Sequence, residues 1–177
     1  MLRGDRVGLR ARRESDVPIL QTGLSDDVAN WARAHARPWQ PYSPGAPSAP
    51  YSVVDPTEAA TSFSVVDLAD DALVGDAQLW GIDQHNRTAH LGLSLLPDCR
   101  GRGLGSDAVR MLCHYGFVVR GLHRLQVDTL ADNAAMIRAA TRNGFRLEGT
   151  LRASAWVYGE FLDEVILGLL ASEWLPR

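Results

Sequence analysis

The sequence predicts an α/β domain built on one mixed sheet, with elements in the order β-α-α-β-β-β-α-β-α-β-β. Three observations carry that expectation. Short β-branched and apolar runs bounded by turn residues recur through the chain. Two amphipathic helical stretches each follow a strand. A glycine-rich junction joins a strand to the first of them. The length of 177 residues fits a single domain spanning 1–177, able to bury a core without disulfide staples.

Val7-Gly8-Leu9-Arg10 alternates weakly and reads as the first strand. Asp16 and Pro18 mark a helix start, with proline in the first turn where its missing N–H costs little, and helical pattern continues in pieces to Ala36. Between Arg37 and Pro56 the composition changes. Pro38, Pro41, Pro44, Pro47, Pro50 and Pro56 interleave with Trp39, Tyr42 and Tyr51, a density that no helix or central strand tolerates. A loop this long inside a small domain is expected to be functional or disordered. Residues 62–66 and 73–82 read as strands joined by the acidic turn at 69–71, and 89–96 as a third strand closed by Pro97. Asp107 to Val119 reads as a helix with Val109, Leu112, Cys113 and Phe117 on one side. A strand at 125–130 and a helix at 133–142, stopped by Asn143-Gly144, follow. Residues 145–151 and 161–170 are the closing strands around Tyr158-Gly159.

Composition narrows the function. A formal charge of −3 argues against a nucleic-acid partner bound through its phosphates. All 18 basic residues are arginine, so a lysine Schiff base is excluded. Cys99 and Cys113 are too few and too oddly placed for a disulfide framework or a metal site, and Cys99 reads as a buried structural thiol. The first residues lack a secretory apolar run and no run reaches membrane-span length, so a cytoplasmic protein without a membrane partner is expected, monomeric or homodimeric.

The chemistry concentrates in Leu95-Leu96-Pro97-Asp98-Cys99-Arg100-Gly101-Arg102-Gly103-Leu104-Gly105-Ser106. Alternate glycines let backbone approach a ligand, and amides converging on a helix N-terminus suit a pyrophosphate, with Ser106 adding a hydroxyl and Arg100 and Arg102 adding charge. A dinucleotide fold needs Gly-x-Gly-x-x-Gly and an acid about 20 residues on, and a P-loop needs Gly-Lys-Ser/Thr. This run is Gly-x-Gly-x-Gly in a chain without lysine, so both fail.

Arg100-Gly101-Arg102-Gly103-Leu104-Gly105 resembles the Arg/Gln-x-x-Gly-x-Gly/Ala loop of the GNAT acetyltransferases. Asn86-Arg87-Thr88-Ala89-His90-Leu91-Gly92 resembles the preceding strand in the Rim-type (ribosomal-protein acetyltransferase) branch. His123-Arg124-Leu125, Asn133, Asn143-Gly144-Phe145 and the tail Leu169-Leu170-Ala171-Ser172-Glu173-Trp174 are similar to the later parts of that branch. The resemblance runs over residues 5–175, is specific from 86 to 147, and treats 25–60 as a variable segment.

The resemblance implies a mostly antiparallel GNAT sheet splayed at two central parallel strands, here 89–96 and 124–130, with an acyl-CoA thioester in the wedge. It implies that backbone groups near Leu95 and Leu96 hold the pantetheine, one amide there polarising the thioester carbonyl. Amides from Gly101 to Ser106, including those of Leu104 and Gly105, would hold the pyrophosphate, and Asn133 the pantetheine arm. Arg138 would reach the adenosine phosphate or lie on a solvated helix face. The resemblance implies acetyl-CoA or another short acyl-CoA as co-substrate, no metal, and an amine of a protein N-terminus or a small molecule as acceptor. Two bases stand open. Asp128, five residues before Asn133, would serve if burial raised its pKa. His90 stands where relatives often carry glutamate, and imidazole titrates near neutrality. Trp39, Tyr42 and Trp80 would wall the acceptor cleft or be ordinary core.

Relatives place a serine three residues after the asparagine, where this chain has Met136, and many place a tyrosine where Leu167 falls. The acid that protonates the leaving thiolate is therefore unassigned. These departures keep open a non-catalytic acyl-CoA-binding or sensory module on the same fold, beside a nucleotide-binding regulatory domain.

Overall fold

The computed structural model describes residues 1–43 and 45–175; Pro44 of the proline-rich loop, and residues 176 and 177 of the expected domain, lie outside them. The chain forms β1 (Leu2–Arg3), β2 (Val7–Arg10), α1 (Asp16–Leu24), α2 (Val28–Ala34), β3 (Ala60–Asp67), β4 (Leu73–Asp83), β5 (Thr88–Leu95), α3 (Leu104–His114), β6 (Arg124–Leu130), α4 (Ala134–Arg142), β7 (Arg146–Val157) and β8 (Glu160–Leu170). One sheet holds all eight strands in the order β1-β2-β3-β4-β5-β6-β8-β7. Every neighbouring pair is antiparallel except β5 and β6.

Strand alternation decides what each face of the sheet meets. Ala89 and Leu91 of β5, Leu125 and Val127 of β6, and Leu167 and Leu169 of β8 are buried, in one cluster with Leu104, Ala108 and Leu112 of α3 and Ala140 of α4. Full burial of a leucine side chain contributes roughly 1.5–3 kcal/mol, so this layer is what holds α3 and α4 on the sheet. His90, Gly92 and Ser94 of β5 and Gln126 and Asp128 of β6 alternate onto the opposite face.

Two buried carboxylates pin helices to strands. Asp107 of α3 accepts from the amides of Arg6 (2.7 Å) and Val7 (3.0 Å) and pairs with Arg110 (2.6 Å). Asp16, at the start of α1, accepts from Arg10 (2.6 and 2.9 Å), the amide of Arg13 (2.8 Å) and the Ser64 hydroxyl (2.7 Å). The proline-rich loop is tied down as well: Gln21 donates to the Pro50 carbonyl (3.0 Å) and the Trp39 indole to that of Ser25 (2.9 Å).

The expected order lacked β1, whose two residues carry no periodicity and join β2 through backbone pairing. The expected helix at 107–119 starts earlier, at Leu104, and gives way to a wider turn over Tyr115–Val119. Gly103 stands just before it in a left-handed conformation (φ 80°), so the glycine-rich run supplies the helix start. The closing hairpin is longer than expected, and its register slips between Leu147 and Gly149 and between Leu151 and Ala155 let it extend past the alternating core residues. Asn143-Gly144 does stop α4, with Gly144 at φ 95° and the Phe145 amide returning to the Ala140 carbonyl (3.2 Å).

Candidate functional site

A wedge opens in the middle of the sheet. β5 and β6 pair only at Thr88–Arg124, Ala89–Leu125 and His90–Gln126. Beyond His90, β5 stays registered with β4 as far as Leu95, while β6 stays registered with β8 as far as Leu130. Each strand thus keeps its outer neighbour and loses its inner one. The Leu96 amide donates to the Val74 carbonyl (2.9 Å), so it is committed to β4. Backbone groups alternate sides along an antiparallel strand, which turns those of Leu93 and Leu95 towards the wedge. The Leu95 carbonyl accepts from Arg100 Nε (3.0 Å). Of the two leucines expected to offer an amide, Leu95 has it available and Leu96 does not.

The glycine-rich run closes the wide end of the wedge. Gly101 (φ 75°) and Gly103 (φ 80°) both adopt left-handed backbone. A Cβ at Gly101 would meet no atom within 4 Å, so open space lies in front of the loop. Gly103 offers no side chain to cap α3, leaving the first-turn amides at Leu104, Gly105 and Ser106 without intrahelical partners. The Ser106 hydroxyl is buried and unbonded among the described residues. Free amides, a partial positive helix end and an orphan hydroxyl fit a pyrophosphate. The two arginines are differently placed: Arg102 pairs with Asp67 (2.9 Å), whereas Arg100 lies against Leu95 and Asn30 (3.4 Å). Asn143 donates to the Ser106 carbonyl (2.9 Å), fastening α4 to the first turn of α3.

Asn133 caps α4, accepting from the Met136 amide (3.2 Å) and donating to the Thr129 hydroxyl (2.9 Å). Arg138 is exposed on α4. Met136 is half-buried and Leu167 is fully buried in the core, so neither position presents a hydroxyl to the wedge. Cys99, expected to be buried, is half-buried; Cys113 is the fully buried thiol, and burial pushes its pKa up.

At the apex the two alternative bases meet. His90 Nδ1 lies 2.5 Å from Asp128 Oδ2, just past the last β5–β6 pair. The upward pKa shift expected for Asp128 is reversed here. Burial does push its carboxyl up, but the bonds from His90 and Gln126, with Arg124 nearby, hold it below the ordinary carboxylate range. A carboxylate so stabilised is a poor proton acceptor and a good orienter. Ionised Asp128 only accepts, so His90 Nδ1 must donate to it, and in the neutral ring that leaves the lone pair on Nε2. Trp80 stacks on the His90 ring (centroids 4.3 Å apart, planes 20° apart) while 42% exposed, joining the dyad to the surface of the cleft.

Trp39 and Tyr42 stand in the proline-rich loop, each about two-fifths exposed (37% and 40%), and the Trp39 indole donates to the Ser25 carbonyl at the end of α1. The loop residue that docks on the sheet is Tyr51. It adopts φ 62°, and its ring faces the Arg12 guanidinium (5.7 Å), which is paired with buried Asp76. Burial, partly offset by Arg12, raises the Asp76 pKa to about 6. Neither Arg12 nor Asp76 stands in any sequence pattern; register and loop packing bring them together.

A mixed sheet splayed at its one parallel pair, with a glycine-rich helix start at the wide end and a His–Asp pair at the apex, defines a domain built to hold an extended, phosphate-bearing ligand edge-on. The chain belongs to the GNAT acetyltransferase family, whose domain model matches residues 6–146. It is 30% identical to the uncharacterized N-acetyltransferase p20 of Bacillus licheniformis over 115 residues, 65% of each chain. It is 33% identical over 107 residues to the putative ribosomal N-acetyltransferase YdaF of Bacillus subtilis, covering 60% of this chain and 58% of that protein. The chain thus matches roughly three-fifths of the length of these relatives (65% and 58%). Spermidine N-acetyltransferase from Vibrio cholerae, solved in complex with CoA and spermine, shares the fold with a TM-score of 0.77 at 19% identity, over 94% of this chain and 96% of that one.

Proposed function

We propose that the protein is an acyl-CoA-dependent N-acyltransferase that transfers the acyl group, from acetyl-CoA above all, directly to a primary amine. The observation that carries this reading is the His90–Asp128 pair at the apex of a wedge whose wide end is a glycine-rich helix start. Acyl-CoA supplies an activated thioester. The loop from Gly101 to Ser106 holds its pyrophosphate, the wedge-facing groups of Leu93 and Leu95 line the pantetheine, and Asn133 and Arg138 flank the arm and the adenosine phosphate. His90 Nε2 takes the proton of the attacking amine as its C–N bond forms and the C–S bond breaks, and Asp128 holds the imidazole in the tautomer that does so.

For the acceptor, the Rim-type resemblance favours a protein N-terminus, in line with the similarity to the putative ribosomal N-acetyltransferase YdaF, while 25% identity over 113 residues to the spermidine N(1)-acetyltransferase of Vibrio cholerae favours a small amine. Trp80, beside His90, forms the near wall of the acceptor site. The test is thiol release from acetyl-CoA against a panel of polyamines, amino acids, aminoglycosides and N-terminal peptides. At least one amine is expected to accelerate release, and His90→Gln should lower kcat by about 10²–10⁴ without changing CoA affinity. CoA binding with no acceleration by any amine would refute transfer; near-normal kcat in His90→Gln would refute the base.

A further inference from the structure

The hydrogen bonding at the dyad does not stop at Asp128. Gln126 Nε2 donates to Asp128 Oδ1 (2.8 Å), and Arg124 donates to Gln126 Oε1 (3.2 Å). Arg124 is itself gripped by both oxygens of Glu148 on β7 (2.8 and 2.5 Å). The row therefore crosses the sheet from β7 to β5, and to reach β6 from β7 it must pass over β8. It does so at Gly168, the register partner of Gln126. A Cβ there would collide with the Glu148 carboxylate and stand 2.6 Å from Arg124 Nη1. The missing side chain is the corridor.

The row also has a direction. Arginine can only donate, so it commits the amide oxygen of Gln126. That turns the amide nitrogen to Asp128 and occupies the carboxylate oxygen that His90 does not use. With both oxygens held, the carboxylate cannot rotate away from the imidazole. The positive charge of Arg124 sits behind it and favours the ionised form.

We infer that Gln126, Arg124 and Glu148, running over Gly168, are positioning residues that fix Asp128, and through it the orientation of His90, for proton removal. This rests on the reading of His90 as the base. Gln126 is the register partner of His90 at the apex, but its side chain donates to Asp128 rather than to the imidazole, so all three act through Asp128.

The experiment is steady-state kinetics of Gln126→Leu with acetyl-CoA and the best amine of the panel, beside CoA calorimetry and a melting curve. A hydrogen bond to a charged group governs this geometry, so kcat should fall ~10–100-fold while CoA affinity and the acceptor KM stay unchanged. The acidic limb of the kcat profile should move with it. In an Asp128→Asn background the same substitution should cost almost nothing further, because the two act as one unit. Gly168→Ala, which reaches Arg124 and Glu148 and leaves the dyad untouched, should reproduce the loss in weaker form. Unchanged kcat, losses that add in the double variant, or a fall in CoA affinity and melting temperature alongside kcat would each overturn the inference. Full activity in His90→Gln fails the base assignment instead; a severe loss there with normal Gln126→Leu fails only the positioning row.

Discussion

Gly103 gives the most direct test of the cofactor loop. Its backbone is left-handed (φ 80°), and among the described residues its one close neighbour in the direction of a Cβ is the end of a flexible side chain, Arg6 Nη1, at 3.1 Å. Gly103→Val therefore acts in two separable ways. Forcing a β-branched residue into left-handed backbone costs about 1–2 kcal/mol, and Arg6 swings aside. A domain with a stability of about 5–15 kcal/mol remains folded after that loss. The larger effect falls on the ligand, because the added branches occupy the approach to the first-turn amides of α3. Each hydrogen bond to a charged group contributes about 1.5–3 kcal/mol, so losing one or two should weaken CoA binding about 10–10⁴-fold. Calorimetry with CoA beside a thermal melt reads both quantities. A folded variant that binds CoA within threefold of the parent would refute the loop as pyrophosphate site. Gly101→Val serves as the companion: among the described residues, its chain neighbours aside, no atom lies within 4 Å of its Cβ, so a loss of binding there is owed to the ligand and the backbone strain.

Asp16 tests the electrostatics of the fold. Burial pushes its carboxyl up, but Arg10, the Arg13 amide and the Ser64 hydroxyl pull it down to about 2, below the unfolded value of 3.8. The lowered pKa makes its contribution full above pH ~4 and lost as pH falls towards 2. Asp16→Asn should lose roughly 2 kcal/mol in urea at pH 7, with the gap about halved at pH 3 and nearly gone by pH 2; a gap independent of pH would refute the assignment. In the proline-rich loop, Trp39→Ala with Tyr42→Ala should raise the acceptor KM and leave CoA affinity nearly unchanged if the loop walls the acceptor cleft. Equal losses of melting temperature and CoA binding would make both rings mere packing. Trp80→Ala, by removing the ring stacked on His90, should impair acceptor turnover more than that double variant does, and an equal or smaller effect would separate Trp80 from the acceptor site.

The order of elements, the glycine-rich junction and the stop after α4 were legible in the sequence because each is written in local chemistry: period, turn residues, glycine where backbone turns left-handed. The family resemblance also named His90 and Asp128, but only as rivals. Their spacing of 38 residues says nothing of contact. What joins them is the parallel pairing of β5 with β6, which ends at His90–Gln126 and leaves their side chains reaching across the opening. That contact reversed the expected direction of the Asp128 pKa shift, since a carboxylate's environment belongs to its neighbours rather than to its own segment. The same holds for the commitment of the Leu96 amide to Val74, for Tyr51 over Arg12, and for the passage of Arg124 to Glu148 above Gly168. Periodicity fixes which face a side chain takes; only strand order and register decide what it meets there, because those pairings are made between segments far apart in the chain.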